Sequence, residues 1–193
     1  MLIPFWFKLA YTAFVLVIIA IWYAHYGLPN FLWFSDIALI GAVPAMWLES
    51  ALLSSVIAVA VLIPELLWNV DLLLRLGLRR RITGLTDYMF EPERLLKLRL
   101  LSLFHVPLPL VLLWLLAAYG YDDRGLVWAC VLAAVVLPLS RWVSPPEKNI
   151  NWTYGLGSRP EPPRGWGFVA VLAIGMMLVV FVPTHLLLRA AFA

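Results

Sequence analysis

The chain has 193 residues, of which 64% are hydrophobic and 13% charged, and its formal net charge is +3. This composition lies outside the usual range for soluble proteins, and several apolar stretches reach the roughly 20 residues that cross a bilayer about 30 Å thick. It excludes a soluble globular domain, and we assign the basic excess to membrane topology rather than to nucleic-acid binding. The only cysteine, Cys130, excludes an intrachain disulfide and a cysteine-based metal site.

Hydropathy predicts six spans in an all-α, polytopic transmembrane helix bundle, which forms a single integral membrane domain over residues 1–193. Continuous apolar stretches favour helices over barrel strands. The first stretch lacks a small-residue cleavage site, so it is interpreted as a span and not as a signal peptide. The second is short and contains Pro44; its alternative is a re-entrant segment, which leaves five spans. The predicted spans are residues 4–24, 32–48, 50–74, 100–119, 125–141 and 166–188.

The basic residues predict the orientation. Seven of the 14 Lys and Arg residues lie between 75 and 99, and four lie between 141 and 166. Because cytoplasmic loops are enriched in basic residues, the connections 75–99 and 142–166 are predicted to be cytoplasmic. The expected location is the bacterial inner (plasma) membrane. Six spans place both termini outside, whereas five place the N-terminus in the cytoplasm.

Each cytoplasmic connection has its own predicted structure. In "TDYMFEPERLLKLRL", apolar and charged residues alternate irregularly, which predicts a segment lying on the membrane surface with Pro92 in a first helical turn. The prolines and glycines of "GLGSRPEPPRG" predict an ordered loop without regular structure. We expect Asp71 to form an interfacial ion pair with the neighbouring arginines, and Asp87 to cap a helix or hold the loop.

Four polar side chains interrupt the apolar spans. At 1.5 Å per residue, Glu65 lies about 15 Å from the cytoplasmic end of its span, and Asn69, one helical turn later on the same face, lies about 9 Å from it. His105 has a depth similar to that of Glu65, and Asp36 enters its own span from the same side. An ionisable group in a span costs about 2.5 to 3.5 kcal/mol unless it faces the bundle interior. We therefore predict a catalytic site formed by these four residues, with helix packing as the alternative.

Prolines occur beside this predicted site. Pro64 precedes Glu65, and Pro107 and Pro109 follow His105. Each proline leaves the carbonyl four residues before it without a helical donor. Broken helices in membranes are tolerated where they face protein or a wet cavity, which favours a site here. The alternative is a set of kinks that only improve packing.

A second polar group lies in "SPPEKNINWTYG", residues 144–155. A carboxylate, an ammonium and two amides occur within five residues, and the aromatic residues that follow suit the headgroup level. The segment is predicted to fold over the same site and to bind substrate; the alternative is a solvated loop that caps helix ends. The substrate-binding candidates are Glu147, Lys148, Asn149 and Asn151.

The sequence assigns neither a cofactor nor a metal. Three histidines are too few for a histidine-rich iron site, and HExxH, P-loop, GxSxG and GxGxxG patterns are absent from the sequence. A single metal held by Asp36, Glu65 and His105 is left as an alternative without a spacing signature. Ser102 lies one turn from His105, but no third group that would orient a nucleophile and base is identified.

The segments "ELLWN", "GLTDYMF", "LFHVPLP" and "PEKNINWTYG" resemble a group of small multi-pass bacterial membrane proteins to which no activity is assigned. The resemblance covers roughly residues 30–155 and implies a membrane bundle but no reaction. A fainter similarity connects His105 with membrane hydrolases of the androgen-induced type. Those enzymes also use an intramembrane threonine, which has no clear match in this chain, so their mechanism is not transferred.

Three functions fit these residues. The first is a membrane-embedded acid/base enzyme that acts on a lipid or lipophilic substrate, with His105 or Glu65 transferring the proton. The second is a structural or assembly subunit of a membrane complex, in which polar residues hold helices together. The third is a transporter of a small solute or of protons. Membrane lipids are expected partners, as is either a second copy of the chain or another subunit of a complex, but not nucleic acid.

Overall fold

The computed structural model describes residues 2–81, 83–157 and 162–192. These residues form helices and turns without a strand, which confirms the predicted all-α helix bundle. Five helices are long and apolar enough to cross a membrane. Three of them are continuous: α1 (Phe5–Tyr26), α3 (Ala51–Leu78) and α6 (Arg124–Val143). The helix Leu96–Tyr119 is broken into α4 (Leu96–Leu101) and α5 (Leu108–Tyr119). The helix Trp166–Phe192 consists of α7 (Trp166–Met176) and α8 (Val182–Phe192), which flank a π-helical turn.

The sixth predicted span corresponds to α2 (Phe34–Trp47), a helix of only 14 residues. At its C-terminal end, the indole of Trp47 donates to Thr12 of α1 over 3.0 Å. At its N-terminal end, the backbone N–H of Phe34 donates to Asn151 over 3.2 Å. Because these contacts lie at opposite ends of the bundle, α2 runs through it antiparallel to α1, and the 3-10 turn Leu28–Leu32 lengthens this passage.

Both basic connections lie at one end of the bundle, which we call the basic end. Tyr26, the last residue of α1, accepts a hydrogen bond at its hydroxyl from Arg94 over 2.9 Å and at its carbonyl from Lys148 over 3.0 Å. These bonds join the connection before α4 and the connection after α6 to the same helix end. Part of the second connection, residues 158–161 of "GLGSRPEPPRG", lies outside the described residues.

The opposite end carries two of the remaining three helix connections, those between α2 and α3 and between α5 and α6. Lys8 in the first turns of α1 forms an ion pair of 2.7 Å with Glu49, which lies between α2 and α3. Tyr121, between α5 and α6, donates its backbone N–H to Phe192 at the end of α8 over 3.4 Å. Successive helices therefore alternate in direction, as expected when short connections join antiparallel neighbours.

The central helix is α3, which packs against α2, α5 and α6. It begins at Ser50, whose side chain accepts from the backbone N–H of Leu53 over 3.2 Å and so caps the first turn. Small residues let its neighbours approach closely. A Cβ on Gly125 of α6 would lie 2.7 Å from the Cβ of Ser55, so glycine is required at this contact.

The connection before α4 differs from its prediction. Pro92 lies in a turn and begins no helix; α4 begins at Leu96. The helical part nearer the start of the connection is instead a 3-10 turn, Asp87–Phe90. Bonds from Thr83 and Thr86 to α3, described below, hold the start of the connection in turns.

Candidate functional site

Glu65 and His105 form the centre of the candidate site. Glu65 projects from α3, and His105 ends the 3-10 turn Ser102–His105 between α4 and α5. The Oε2 atom of Glu65 lies 2.7 Å from Nδ1 of His105, and the glutamate side chain is only 1% exposed. A carboxylate buried in a membrane bundle needs a polar partner, and the imidazole supplies one. The structure thus brings together the two residues that the sequence placed at similar depth.

Two aromatic rings hold the imidazole of His105. Trp68 stacks on it with ring centroids 4.5 Å apart, and Phe104 packs at 4.0 Å. Because an ionised carboxylate only accepts hydrogen bonds, the contact with Glu65 fits a histidine that carries its proton on Nδ1. No described residue bonds the other nitrogen, Nε2, and 13% of the side chain is exposed. The ring therefore has one oriented nitrogen and one that is available to a ligand.

Asn69 lies beside the pair but directs its amide to the backbone. Its Nδ2 donates to the carbonyls of Glu65 and His105, over 2.8 Å in each case. Pro109 has no N–H to offer the carbonyl of His105 four residues earlier, so Asn69 takes the place of that missing donor. Asn69 thus joins α3 to the broken helix. A catalytic role for it stays a prediction.

Asp36 lies at the edge of the site. It is 4% exposed, occupies the first turn of α2, and accepts from Asn30 Nδ2 over 2.9 Å. The positive end of the α2 dipole favours a carboxylate in this turn. Asp36 is close enough to Glu65 for the two carboxylates to interact electrostatically.

The predicted metal alternative has no matching geometry. Within residues 2–81, 83–157 and 162–192, no group of three or more His, Cys, Asp or Glu side chains is placed to hold a metal ion. Asp36, Glu65 and His105 are therefore neighbours without forming a coordination sphere.

Sequence reasoning missed three aromatic residues of the site. Trp68 is 5% exposed and lies three residues after Glu65, on the same helix face. Phe104 directly precedes His105. Tyr88 belongs to the 3-10 turn of the connection before α4, and its phenol interacts with Trp68 and electrostatically with Glu65. Burial raises the pKa of Tyr88. Helical spacing could have indicated Trp68, but no sequence signal indicates Tyr88.

Asp71 fastens the loop that carries Tyr88. Its carboxylate accepts from the backbone N–H groups of Thr83 and Thr86, each over 3.0 Å, and from the hydroxyl of Thr86 over 2.7 Å. The predicted ion pair of Asp71 is wrong, because these three donors surround the carboxylate.

Asp87 forms the ion pairs expected of Asp71. It contacts Arg75 of α3 and, over 2.7 Å, Arg81. The predicted loop role of Asp87 is thus consistent with two ion pairs that hold the loop against the end of α3.

The second predicted group lies in a loop at the basic end, and its residues bond both the loop and the ends of neighbouring helices. Asn151 accepts from the N–H of Phe34 and donates to Leu32 over 2.7 Å, so it caps α2. Asn149 donates to the carbonyls of Gly155 and Gly157.

The two charged members of this group lie at the surface. Glu147 is exposed, and Lys148 is exposed while it bonds the end of α1. The contacts of the two asparagines correspond to the alternative of a loop that caps helix ends. Substrate binding by the four residues stays a prediction.

Five helices have the length and apolar composition of membrane spans, as a multi-pass membrane protein requires. No protein-family model matches the sequence, and neither a curated protein nor a solved structure matches it at a significant level. The chemistry of the Glu65–His105 pair and its surroundings is therefore the basis for assigning a function.

Proposed function

We propose that this protein is a membrane-embedded enzyme that performs acid/base chemistry on a lipid or another lipophilic substrate. The observation that supports it is the 2.7 Å contact between Glu65 and His105, in which Nε2 of the imidazole has no described partner. In this proposal His105 is the general base or acid, and Glu65 is the residue that orients it. The protein lies in a bacterial inner membrane with its basic end in the cytoplasm.

The proposed chemistry is a reversible proton transfer. Neutral His105 accepts a proton from the substrate, or from a water molecule, on Nε2, while its Nδ1–H stays hydrogen-bonded to Glu65. The imidazolium that forms is stabilised by the adjacent carboxylate, and the same proton returns to the product in a later step. Trp68 and Phe104 pack against the imidazole and restrict its motion, which reduces the entropy lost in reaching the reactive geometry.

The depth of the pair supports a lipophilic substrate. Glu65 lies near the middle of α3, which has 28 residues and is the most buried of the five long helices. A molecule that reaches this depth from the membrane must leave its charges at the surface, since a charge at the bilayer centre costs about 2.5 to 3.5 kcal/mol. An uncharged reacting group attached to a hydrocarbon tail meets this condition.

The second candidate is an assembly subunit whose polar residues only hold helices together. The amide of Asn69 favours this function, because both of its hydrogen bonds end on backbone carbonyls. Contacts of this kind contribute about 0.6 kcal/mol on average, which suits helix packing. This candidate gives no role to the uncommitted nitrogen of His105.

The experiment compares Glu65→Gln and His105→Gln with Glu93→Gln, a control on an exposed side chain at the basic end. Each variant is expressed in a strain that lacks the gene, and membrane lipids are profiled by mass spectrometry. Each purified protein is also melted in detergent. Glutamine keeps the volume of glutamate and can accept the bond from Nδ1, but it carries no charge that would stabilise an imidazolium.

We expect Glu65→Gln and His105→Gln to melt within a few degrees of the parent protein and to lose the parental lipid profile, while Glu93→Gln retains both. Variants that melt normally and still restore the profile would reject the enzyme. If the variants fold poorly but the folded fraction still restores the parental lipid profile, the assembly subunit would be favoured.

A further inference from the structure

An apolar groove lies between α1 and α5, with α2 as its floor. Its volume is about 260 Å³, and no charged residue lines it. Because these helices are membrane spans, hydrocarbon and not water surrounds the opening. An unfilled groove of this size would forfeit the dispersion contacts of its walls, so a hydrocarbon chain is its natural occupant. The lining residues are Phe7, Ala10, Tyr11, Phe14, Leu39, Phe104, Pro107, Leu108 and Val111.

The groove ends beside the Glu65–His105 pair. Phe104 and Pro107 line it, and they flank His105 in the chain; the ring of Phe104 also packs on the imidazole at 4.0 Å. A tail in the groove therefore has one end next to the candidate site.

Unpaired donors surround this region. Four buried side-chain polar atoms lack a hydrogen-bond partner among the described residues, and three of them are indole Nε1 atoms. Trp22 packs on Phe104 at 5.5 Å, and Trp114 packs on the groove residue Phe7 at 4.8 Å. The third, Trp68, stacks on His105 and already has the phenol of Tyr88 beside it. An unpaired buried donor destabilises the fold, because nothing replaces the hydrogen bond that it made to water. Because an indole N–H only donates, the partner that would satisfy it must bring an acceptor atom.

The orientation of the groove follows from α1. Its lining residues on this helix, Phe7 to Phe14, belong to the first half of Phe5–Tyr26, whose start lies at the end opposite the basic end. A tail in the groove extends from the Glu65–His105 pair towards that end. The reacting group then lies at the middle of the bundle and the tail in the membrane half away from the basic loops.

We propose that the groove binds the hydrocarbon tail of an uncharged lipid whose carbonyl oxygen lies at the Glu65–His105 pair, within reach of an indole N–H. This inference rests on the proposed function and specifies its substrate class. A carbonyl supplies the acceptor that the indoles lack, and the absence of charge avoids the cost of burial. The ligand enters from the membrane half opposite the basic end.

The test uses photo-crosslinking of the purified full chain in detergent. The probe is the methyl ester of a 16-carbon fatty acid with a diazirine in its chain and a terminal alkyne. Two control probes have the same chain, diazirine and alkyne. One is an alkane without the ester, and the other has a free carboxylate in its place. Labelled peptides are located and quantified by mass spectrometry, so the readout does not depend on turnover.

Two variants on α1 serve as a matched pair. Ala10→Trp fills the groove, whereas Ala20→Trp places the same side chain on an exposed part of the same helix outside the lining. Both alanines are exposed, so the fold tolerates either change. We expect the ester to label residues 7–14 and 104–111 about threefold or more strongly than either control probe does. This difference corresponds to the affinity gained from one hydrogen bond to the ester carbonyl. Ala10→Trp should reduce this labelling at least fivefold, and Ala20→Trp should leave it unchanged.

Equal labelling by ester and alkane would overturn the carbonyl assignment, and labelling that survives Ala10→Trp would overturn the groove. These results are separate from those for the proposed function. Ester labelling in the groove together with a normal lipid profile in Glu65→Gln would retain the binding site and reject the enzyme. In the opposite case, Glu65→Gln loses the parental lipid profile but the ester does not label the groove of the parent protein. That result would support the proposed enzyme and reject this substrate class.

Discussion

The side-chain amide of Asn69 donates to the carbonyl of His105 over 2.8 Å, at the point where Pro109 has removed the helix's own donor. The contact joins the central helix to the broken helix one turn from Glu65. It explains how a proline-containing helix keeps its backbone satisfied in an apolar environment, where an unpaired carbonyl is costly. The position of the imidazole thus depends on a residue that does not touch its ring.

The first prediction concerns this replacement of a backbone donor. Asn69→Leu leaves the carbonyl of His105 unpaired and should lower the free energy of unfolding by about 0.6 to 1.7 kcal/mol, the range of interhelical polar contacts in membranes. In a Pro109→Ala background the alanine N–H can serve the carbonyl, so the same substitution should cost less. Reversible unfolding in mixed micelles measures the double-mutant cycle. Equal costs in both backgrounds would show that Asn69 does not compensate for the proline.

A second prediction tests the loop that carries Tyr88. Asp71→Asn replaces one of the two acceptor oxygens with an amide NH₂, which faces either the N–H of Thr83 or the N–H and hydroxyl of Thr86 and should cost about 1 to 3 kcal/mol locally. Trypsin should then cleave the basic connection near Arg81 several times faster than in the parent. The exposed Glu93→Gln in the same connection should not change the rate. An unchanged rate for Asp71→Asn would contradict the fastening role.

Close packing of α3 and α6 gives a third prediction. Gly125→Ala places a Cβ 2.7 Å from the Cβ of Ser55 and 3.1 Å from its backbone carbonyl carbon, which only a helix shift can relieve. The variant should lose about 1 to 3 kcal/mol of unfolding free energy. Gly175→Ala in α7 meets nothing within 4 Å and should be neutral or gain about 0.5 to 1 kcal/mol. Thermal melts in detergent compare the two, and equal effects would argue against the close approach.

The fourth prediction concerns topology. Because α2 has its ends at opposite ends of the bundle, the chain should cross the membrane six times and present its two basic connections on the same side. In a Cys130→Ser background, cysteines replace the exposed residues Glu147 at the basic end and Asp123 at the other end. An impermeant maleimide should label position 123 in intact cells and position 147 only after lysis. Labelling of both positions in intact cells would exclude this arrangement.

The sequence by itself determined the all-α bundle and the position of the polar site within it. Hydropathy over about 20 residues is a local property, so it located the five long helices without any knowledge of their packing. Helical periodicity placed Glu65 and Asn69 on one face, and counting residues from the basic loops gave His105 a similar depth. The cost of burying an ionisable group then predicted that these residues avoid lipid.

Only the tertiary structure decided which partner each polar group takes. The rotation of a helix about its axis and the path of a loop depend on packing across the whole bundle, which local patterns do not encode. Asp71 therefore bonds threonines and not the arginines beside it in sequence, and Asn69 bonds the backbone carbonyls of Glu65 and His105. Trp68 stacks on His105 of the broken helix, a contact between two helices that the hydropathy of either one does not encode.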